Sequence, residues 1–124
     1  MDDIFQPPSD VADWIDEPWF VNSTFTYIKI PKNLFAGRYK SLSSKAKLSY
    51  ALLLDRAQLS YKNHWIHEGN CFVYLSLKAL AELLNCSLGL CTKCYRELET
   101  VGLIKRTKQG QGKPDRIMVL SIKE

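Results

Sequence analysis

The sequence predicts an α+β domain, a winged helix-turn-helix with an additional N-terminal strand and hairpin. Three observations lead there. Two amphipathic helical patterns follow Ser76, separated by only a brief break at Asn85-Cys86. Two β-prone segments come directly after them, joined by a basic, Gly-rich tip. The length of 124 residues suits one compact domain that buries a core without staples, and 46% hydrophobic with 24% charged residues is ordinary globular usage.

Residues 1–20 read as an acidic N-terminal arm, and residues 21–124 as the folded body. Asp2, Asp3, Asp10, Asp13, Asp16 and Glu17 give the arm a charge of −6, with no Lys or Arg to oppose them. Pro7-Pro8-Ser9-Asp10 breaks regular structure there. Trp14, Ile15, Trp19 and Phe20 are interleaved with the acids, so the arm is suited to docking on its own body or on a partner.

In the body, Phe25-Thr26-Tyr27-Ile28-Lys29-Ile30 alternates with period two and reads as a strand ended by Pro31. Residues 32–36 suit one helical turn before Gly37. Ser43 or Ser44 can cap a long helix, and Ala46, Leu48, Tyr50, Ala51, Leu53, Leu54 and Ala57 carry the pattern to about Tyr61. Trp65-Ile66 and Cys71–Leu75 flank His67-Glu68-Gly69-Asn70, a hairpin signal. Ser76 caps a helix with Leu77, Leu80, Ala81 and Leu84 on its apolar face. Ser87 caps the next, whose inner face is Cys91, Cys94, Tyr95, Leu98 and Val101, and Gly102 stands at its C′ position. Leu103–Arg106 and Arg116–Ile122 then read as the two strands of the wing.

The basic residues are all in the body: 17 Lys and Arg against 7 acids, a balance of +10. Such an excess suits a polyanion. The major groove of DNA is about 12 Å wide and admits one helix, and a short turn after a supporting helix lets the second project its start into that groove. The exposed residues expected on this recognition helix are Ser87, Leu88, Gly89, Thr92, Lys93 and Arg96. In the wing, Lys105, Arg106, Lys108, Gln109, Gln111, Lys113 and Arg116 are the expected contacts to phosphates or to the minor groove, supplying affinity more than sequence reading.

Several classes are not expected. No apolar run approaches the ~20 residues of a membrane span. The N-terminus lacks the basic and apolar regions of a secretory signal, so the chain reads as cytoplasmic with reduced cysteines. Cys86, Cys91 and Cys94 with His64 and His67 are ligand types, but Cys91 and Cys94 fall on the apolar face of a helix rather than on a metal knuckle. Neither a metal nor another cofactor is expected. There is no Gly-rich phosphate loop, nucleophile motif or carboxylate cluster with site character, so no enzyme is expected.

Longer stretches resemble a known family. They are Tyr27–Phe35, Arg38–Ser43, Ala46–Arg56, Leu83–Ser87, Gly102-Leu103-Ile104 and Gln109–Pro114, in order over about residues 25–122. With these the chain resembles the N-terminal domain of the plasmid replication initiator (RepA) family of Gram-positive bacteria. The resemblance implies a winged helix that binds double-stranded DNA at repeated sites of a plasmid origin. It also implies a homodimer, and a separate C-terminal domain that engages host replication proteins. That domain is not within these residues, so the chain reads as a fragment. One departure is that Ser87-Leu88-Gly89-Leu90 is more apolar than the polar or basic start expected of this helix. Because fold does not fix function, a transcription regulator and a primosome-type protein-interaction module are the alternatives.

Overall fold

A computed structural model describes residues 18, 19, 21, 26–64, 66, 67 and 69–123. The acidic arm lies almost wholly outside the described residues, as do Phe25, Trp65 and Glu68 of the expected strand and hairpin.

The expected strand over residues 25–30 does not form where it is described: Thr26 to Ile30 carry no strand pairing. The alternation is present, but neither face is taken up by the core, for Tyr27 and Ile30 stay exposed and Ile28 is only half-buried. Single 3-10 turns follow at Lys32–Phe35 and Gly37–Tyr39, and they seat Leu34 and Tyr39 in the core.

Helix α1 is Ser44–Lys62. Ser43 caps it, its hydroxyl accepting from the Ala46 amide at 3.1 Å and so satisfying one of the orphan donors of the first turn. Ala46, Tyr50, Leu53 and Ala57 recur at helical spacing and are all buried. Strands β1 (Ile66–His67) and β2 (Asn70–Val73) then pair antiparallel as Ile66 with Cys71 and His67 with Asn70. Gly69, with φ +79, supplies the turn backbone that a Cβ would strain.

Helices α2 (Leu77–Leu84) and α3 (Leu88–Thr100) start at the predicted caps. The Ser76 hydroxyl accepts from the Ala79 amide, and the Ser87 hydroxyl from the Leu90 amide, each at 3.1 Å. Asn85 ends α2 in the left-handed region, a conformation its short polar side chain tolerates. At the end of α3 the Leu103 amide reaches back to the Leu98 carbonyl (2.9 Å) and the Gly102 amide to that of Glu99 (3.1 Å). This is a Schellman termination, with Gly102 at φ +81 and the fully buried Leu98 and Leu103 as its apolar partners.

The wing is β3 (Ile104–Thr107) with β4 (Arg116–Val119). The four strands form one antiparallel order, β1-β2-β4-β3, so the wing is continuous with the first hairpin. The returning strand stops at Val119, short of the expected Ile122. Beyond it the Leu120 amide still donates to the Leu103 carbonyl at 2.9 Å, and two tyrosine hydroxyls hold the segment that follows: Tyr50 donates to the Leu120 carbonyl at 2.8 Å, and Tyr39 accepts from the Lys123 amide at 2.9 Å. Burial pushes the Tyr50 phenol up to about 12, with Tyr39 adding to it, so it stays a donor.

One core joins the helices and the sheet. Leu53, Leu80, Leu98, Leu103 and Ile117 are almost wholly buried, each contributing about 1.5–3 kcal/mol by transfer from water. The Tyr95 hydroxyl, also buried, donates to the Leu75 carbonyl at 2.9 Å and locks α3 to the segment that enters α2. Among the described residues no helix is long and apolar enough to cross a membrane.

Candidate nucleic-acid interface

The outer face of α3 follows from its inner one. Cys91, Cys94, Tyr95 and Leu98 are committed to the core, which leaves Gly89, Lys93, Arg96 and Thr100 as one exposed stripe. Ser87 and Leu88 are exposed at its head, with Leu88 at 54%. Because the Ser87 oxygen already accepts from the Leu90 amide, its proton remains available for donation outward. Thr92 turns away from this role: it is half-buried, and its hydroxyl donates to the Leu88 carbonyl at 3.0 Å. Gly89 is exposed, its φ is not positive, and an added Cβ would meet only the Ser87 Oγ at 4.0 Å. Neither strain nor packing therefore requires a glycine here. What it provides is a first turn whose backbone another molecule can approach closely.

Two carboxylates on α3 would oppose a polyanion, and both are engaged internally. Glu97 accepts from the Ser43 amide (2.8 Å) and hydroxyl (2.9 Å), which pins the start of α1 to α3. Glu99 accepts a two-pronged contact from Arg106, Nε at 3.0 Å and an Nη at 2.9 Å. The Arg106 guanidinium holds the Glu99 carboxyl below the usual carboxylate range, even though burial acts the other way. Arg106 also lies over the Tyr95 ring, 5.3 Å from its centroid.

The predicted wing residues thus divide into two groups. Arg106, Gln109 and Arg116 are half-buried and turned to internal contacts. Arg116 stacks over Phe72 at 4.6 Å and donates to Gln109 Oε1 at 3.3 Å, while its own Nε is buried without a hydrogen-bond partner. Gln109 donates to the Tyr74 hydroxyl (3.2 Å) and the Pro114 carbonyl (3.0 Å), closing the base of the tip. Lys105, Lys108, Gln111 and Lys113 are exposed. Between them Gly110 and Gly112 take φ +123 and +78, which lets the tip fold over the Lys113-to-Gly110 backbone bond of 3.2 Å.

The Ser43–Glu97 bond brings in residues that the sequence pattern does not single out. Ser41 and Leu42 line the same shallow concavity as Lys93, Arg96 and Thr100. No local motif announces this neighbourhood, because the bond spans 54 positions. The four cysteines are all free thiols, with Cys91 and Cys94 buried. Among the described residues no group of three or more His, Cys, Asp or Glu side chains is placed to hold a metal ion.

A helix-turn-helix followed by a β-hairpin wing, with cations exposed on the second helix and on the tip, defines a winged-helix module of the nucleic-acid-binding kind. Comparison with known proteins narrows the class. Residues 26–124 match the family model for the N-terminus of replication initiator protein A (RepA), and the chain belongs to that family. It is 35% identical over 100 residues to a "41 kDa protein" of Lactobacillus helveticus, covering 74% of this chain but only 28% of that protein's length. The solved structure of the "N-Terminal domain of DNA binding protein" is similar at 35% identity with a TM-score of 0.66, over 81% of this chain and 84% of that one. A "Structure of MDR initiator" shares 38% identity at a TM-score of 0.63, over 77% of each chain. A "Structure of Rep-DNA complex" shares 31% identity at 0.66, over 96% of this chain and 88% of that one.

Proposed function

We propose that this domain binds double-stranded DNA sequence-specifically at repeated sites of a plasmid replication origin, and so positions an initiator for the start of replication. The observation that carries the reading is the exposed stripe Gly89-Lys93-Arg96, backed by core residues and cleared of competing carboxylates. The start of α3 enters the major groove, where Lys93 and Arg96 reach base edges while Ser87 and the first-turn amides hold a phosphate. Lys105, Lys108 and Lys113 meet the backbone or the minor groove. Arg106, Gln109 and Arg116 act as positioning residues that hold the wing at its angle to α3.

The role is that of a binding module of the cytoplasm rather than a catalyst. It works as a homodimer, a reading favoured by the exposed apolar side chains of Leu59, Tyr61 and Ile66 along the end of α1 and the first hairpin. Host replication proteins are engaged by a separate C-terminal domain of the whole protein. Salt-titrated binding to a plasmid origin fragment and to a promoter fragment tests the function. Preference for the origin, with a steep loss of affinity as salt rises, is the expected result. Preference for the promoter points to a transcription regulator, and a shallow slope without sequence preference to a protein-interaction module.

A further inference from the structure

Cys86 and Cys91 stand at the head of α3 and take no part in the DNA contacts proposed above. Cys86 is half-buried in the turn between α2 and α3, and Cys91 is fully buried one turn into α3. Their sulfurs lie 3.6 Å apart in a thiol–thiol hydrogen bond. A disulfide requires about 2.0 Å, so closure needs a movement of roughly 1.6 Å. The two sides do not share that movement equally. Cys91 is fixed in the core, whereas Cys86 belongs to the three-residue connection Asn85-Cys86-Ser87 on the surface side.

We propose that Cys86 and Cys91 form a thiol-oxidation site for hydroperoxides, and that the disulfide they close displaces the first turn of α3 and withdraws it from duplex DNA. The second half of this rests on the DNA-binding reading; bond formation does not.

The chemistry follows from access. The Cys86 sulfur is the one a small hydroperoxide reaches. It attacks the peroxide, the O–O bond breaks, Cys86 becomes a sulfenic acid, and the alcohol (water, from hydrogen peroxide) leaves with the thiol proton. The Cys91 sulfur then attacks the Cys86 sulfur. The S–S bond forms, the S–O bond breaks, and the departing hydroxide takes the Cys91 proton as water. Two thiols have lost two electrons and two protons, and the peroxide has accepted both. Burial, with the Cys86 contact adding to it, pushes the Cys91 thiol up to about 11, so Cys91 is not the thiol that meets the oxidant. Its place 3.6 Å from the Cys86 sulfur makes it the resolving thiol. Drawing Cys86 inward pulls on Ser87, whose hydroxyl caps Leu90 and whose carbonyl holds the Cys91 amide at 3.2 Å. These are the bonds that define the start of the helix.

The test treats the reduced domain with hydrogen peroxide, alkylates the remaining thiols and digests with trypsin. Residues 79–93 form one peptide that contains Cys86 and Cys91 and neither of the other cysteines. The expected product is that peptide, unalkylated and two hydrogens lighter, and reverting with a phosphine reductant. Binding is read on a duplex selected from a random pool by the reduced domain. Oxidation should weaken it by about tenfold, one step of 1.4 kcal/mol, and reduction should restore it. Cys86→Ser should bind that duplex like the reduced parent and ignore peroxide, and Cys71→Ser should still switch. A peptide that stays a dithiol, or a disulfide that forms with affinity unchanged, overturns the proposal. If the reduced domain selects no duplex, the DNA reading fails by itself. Hydrogen exchange at the Leu88, Gly89 and Leu90 amides then decides: faster exchange on oxidation supports the displacement, and unchanged exchange overturns it.

Discussion

The root and the tip of the wing are both rich in cations and use them in opposite ways. At the root, Arg106 grips Glu99 and lies over Tyr95, while Arg116 lies over Phe72 and bonds to Gln109. At the tip, Lys108 and Lys113 are exposed around Gly110 and Gly112. The chemistry of the two cations explains the division. A guanidinium is planar, weakly hydrated and able to stack and bond at once, whereas an ammonium is a strongly hydrated point charge that prefers water. The arginines therefore build the wing and the lysines face outward from it. Basic residues in a wing do not all face solvent.

The sharpest way to break this comparison is Arg106→Ala. It removes two hydrogen bonds and a ring contact and leaves Glu99 half-buried without its partner. A stability loss of about 2 kcal/mol is expected by chemical denaturation, discounted for partial exposure. Lys108→Ala should stay within about 0.5 kcal/mol of the parent. Equal effects at the two positions would abolish the distinction between root and tip. The pair also predicts a pH dependence. The folded pKa of Glu99 lies below its unfolded value, so its contribution is fully present above about pH 4.3 and is lost as pH falls through the lower folded value. Glu99→Gln should remove that part of the acid-induced loss and leave the neutral-pH cost of the weakened pair.

A smaller effect is expected from the tip. Lys108→Ala together with Lys113→Ala should leave the melting temperature alone and weaken binding to every duplex. The salt slope should fall by about 1 for each lysine. An unchanged slope would remove the tip from the contact surface. The smallest effect sharpens the account of α3. Gly89→Ala should raise helix stability by up to about 1 kcal/mol while weakening duplex binding. Tighter binding would show that the duplex does not approach this turn closely.

Most of the fold was legible in the sequence because its signals are local. Ser43, Ser76 and Ser87 each sit three residues before the amide they accept from, and Gly102 stands one position past the α3 cap. The strand expected at residues 25–30 is not formed over the described residues 26–30, because alternation alone cannot supply a partner edge. The pairing of β2 with β4 was equally invisible, since it joins segments about 45 positions apart. The candidate site divides in the same manner. The exposure of Lys93, Arg96 and the tip lysines was legible because it follows from helical period and turn chemistry. The inward turn of Arg106 was missed because it depends on which face of β3 meets α3. The contribution of Ser41 and its neighbours was missed because Glu97 draws them in from a distant segment.

On the proposed function, the exposed stripe of α3 reads bases. Lys93→Ala combined with Arg96→Ala tests it most directly, by salt-matched binding to an origin duplex and to a scrambled duplex of the same length. Origin binding should fall by roughly 1–3 kcal/mol for each base no longer read, with scrambled binding much less affected. An equal loss on both duplexes would contradict it, because the two side chains would then be touching only phosphate.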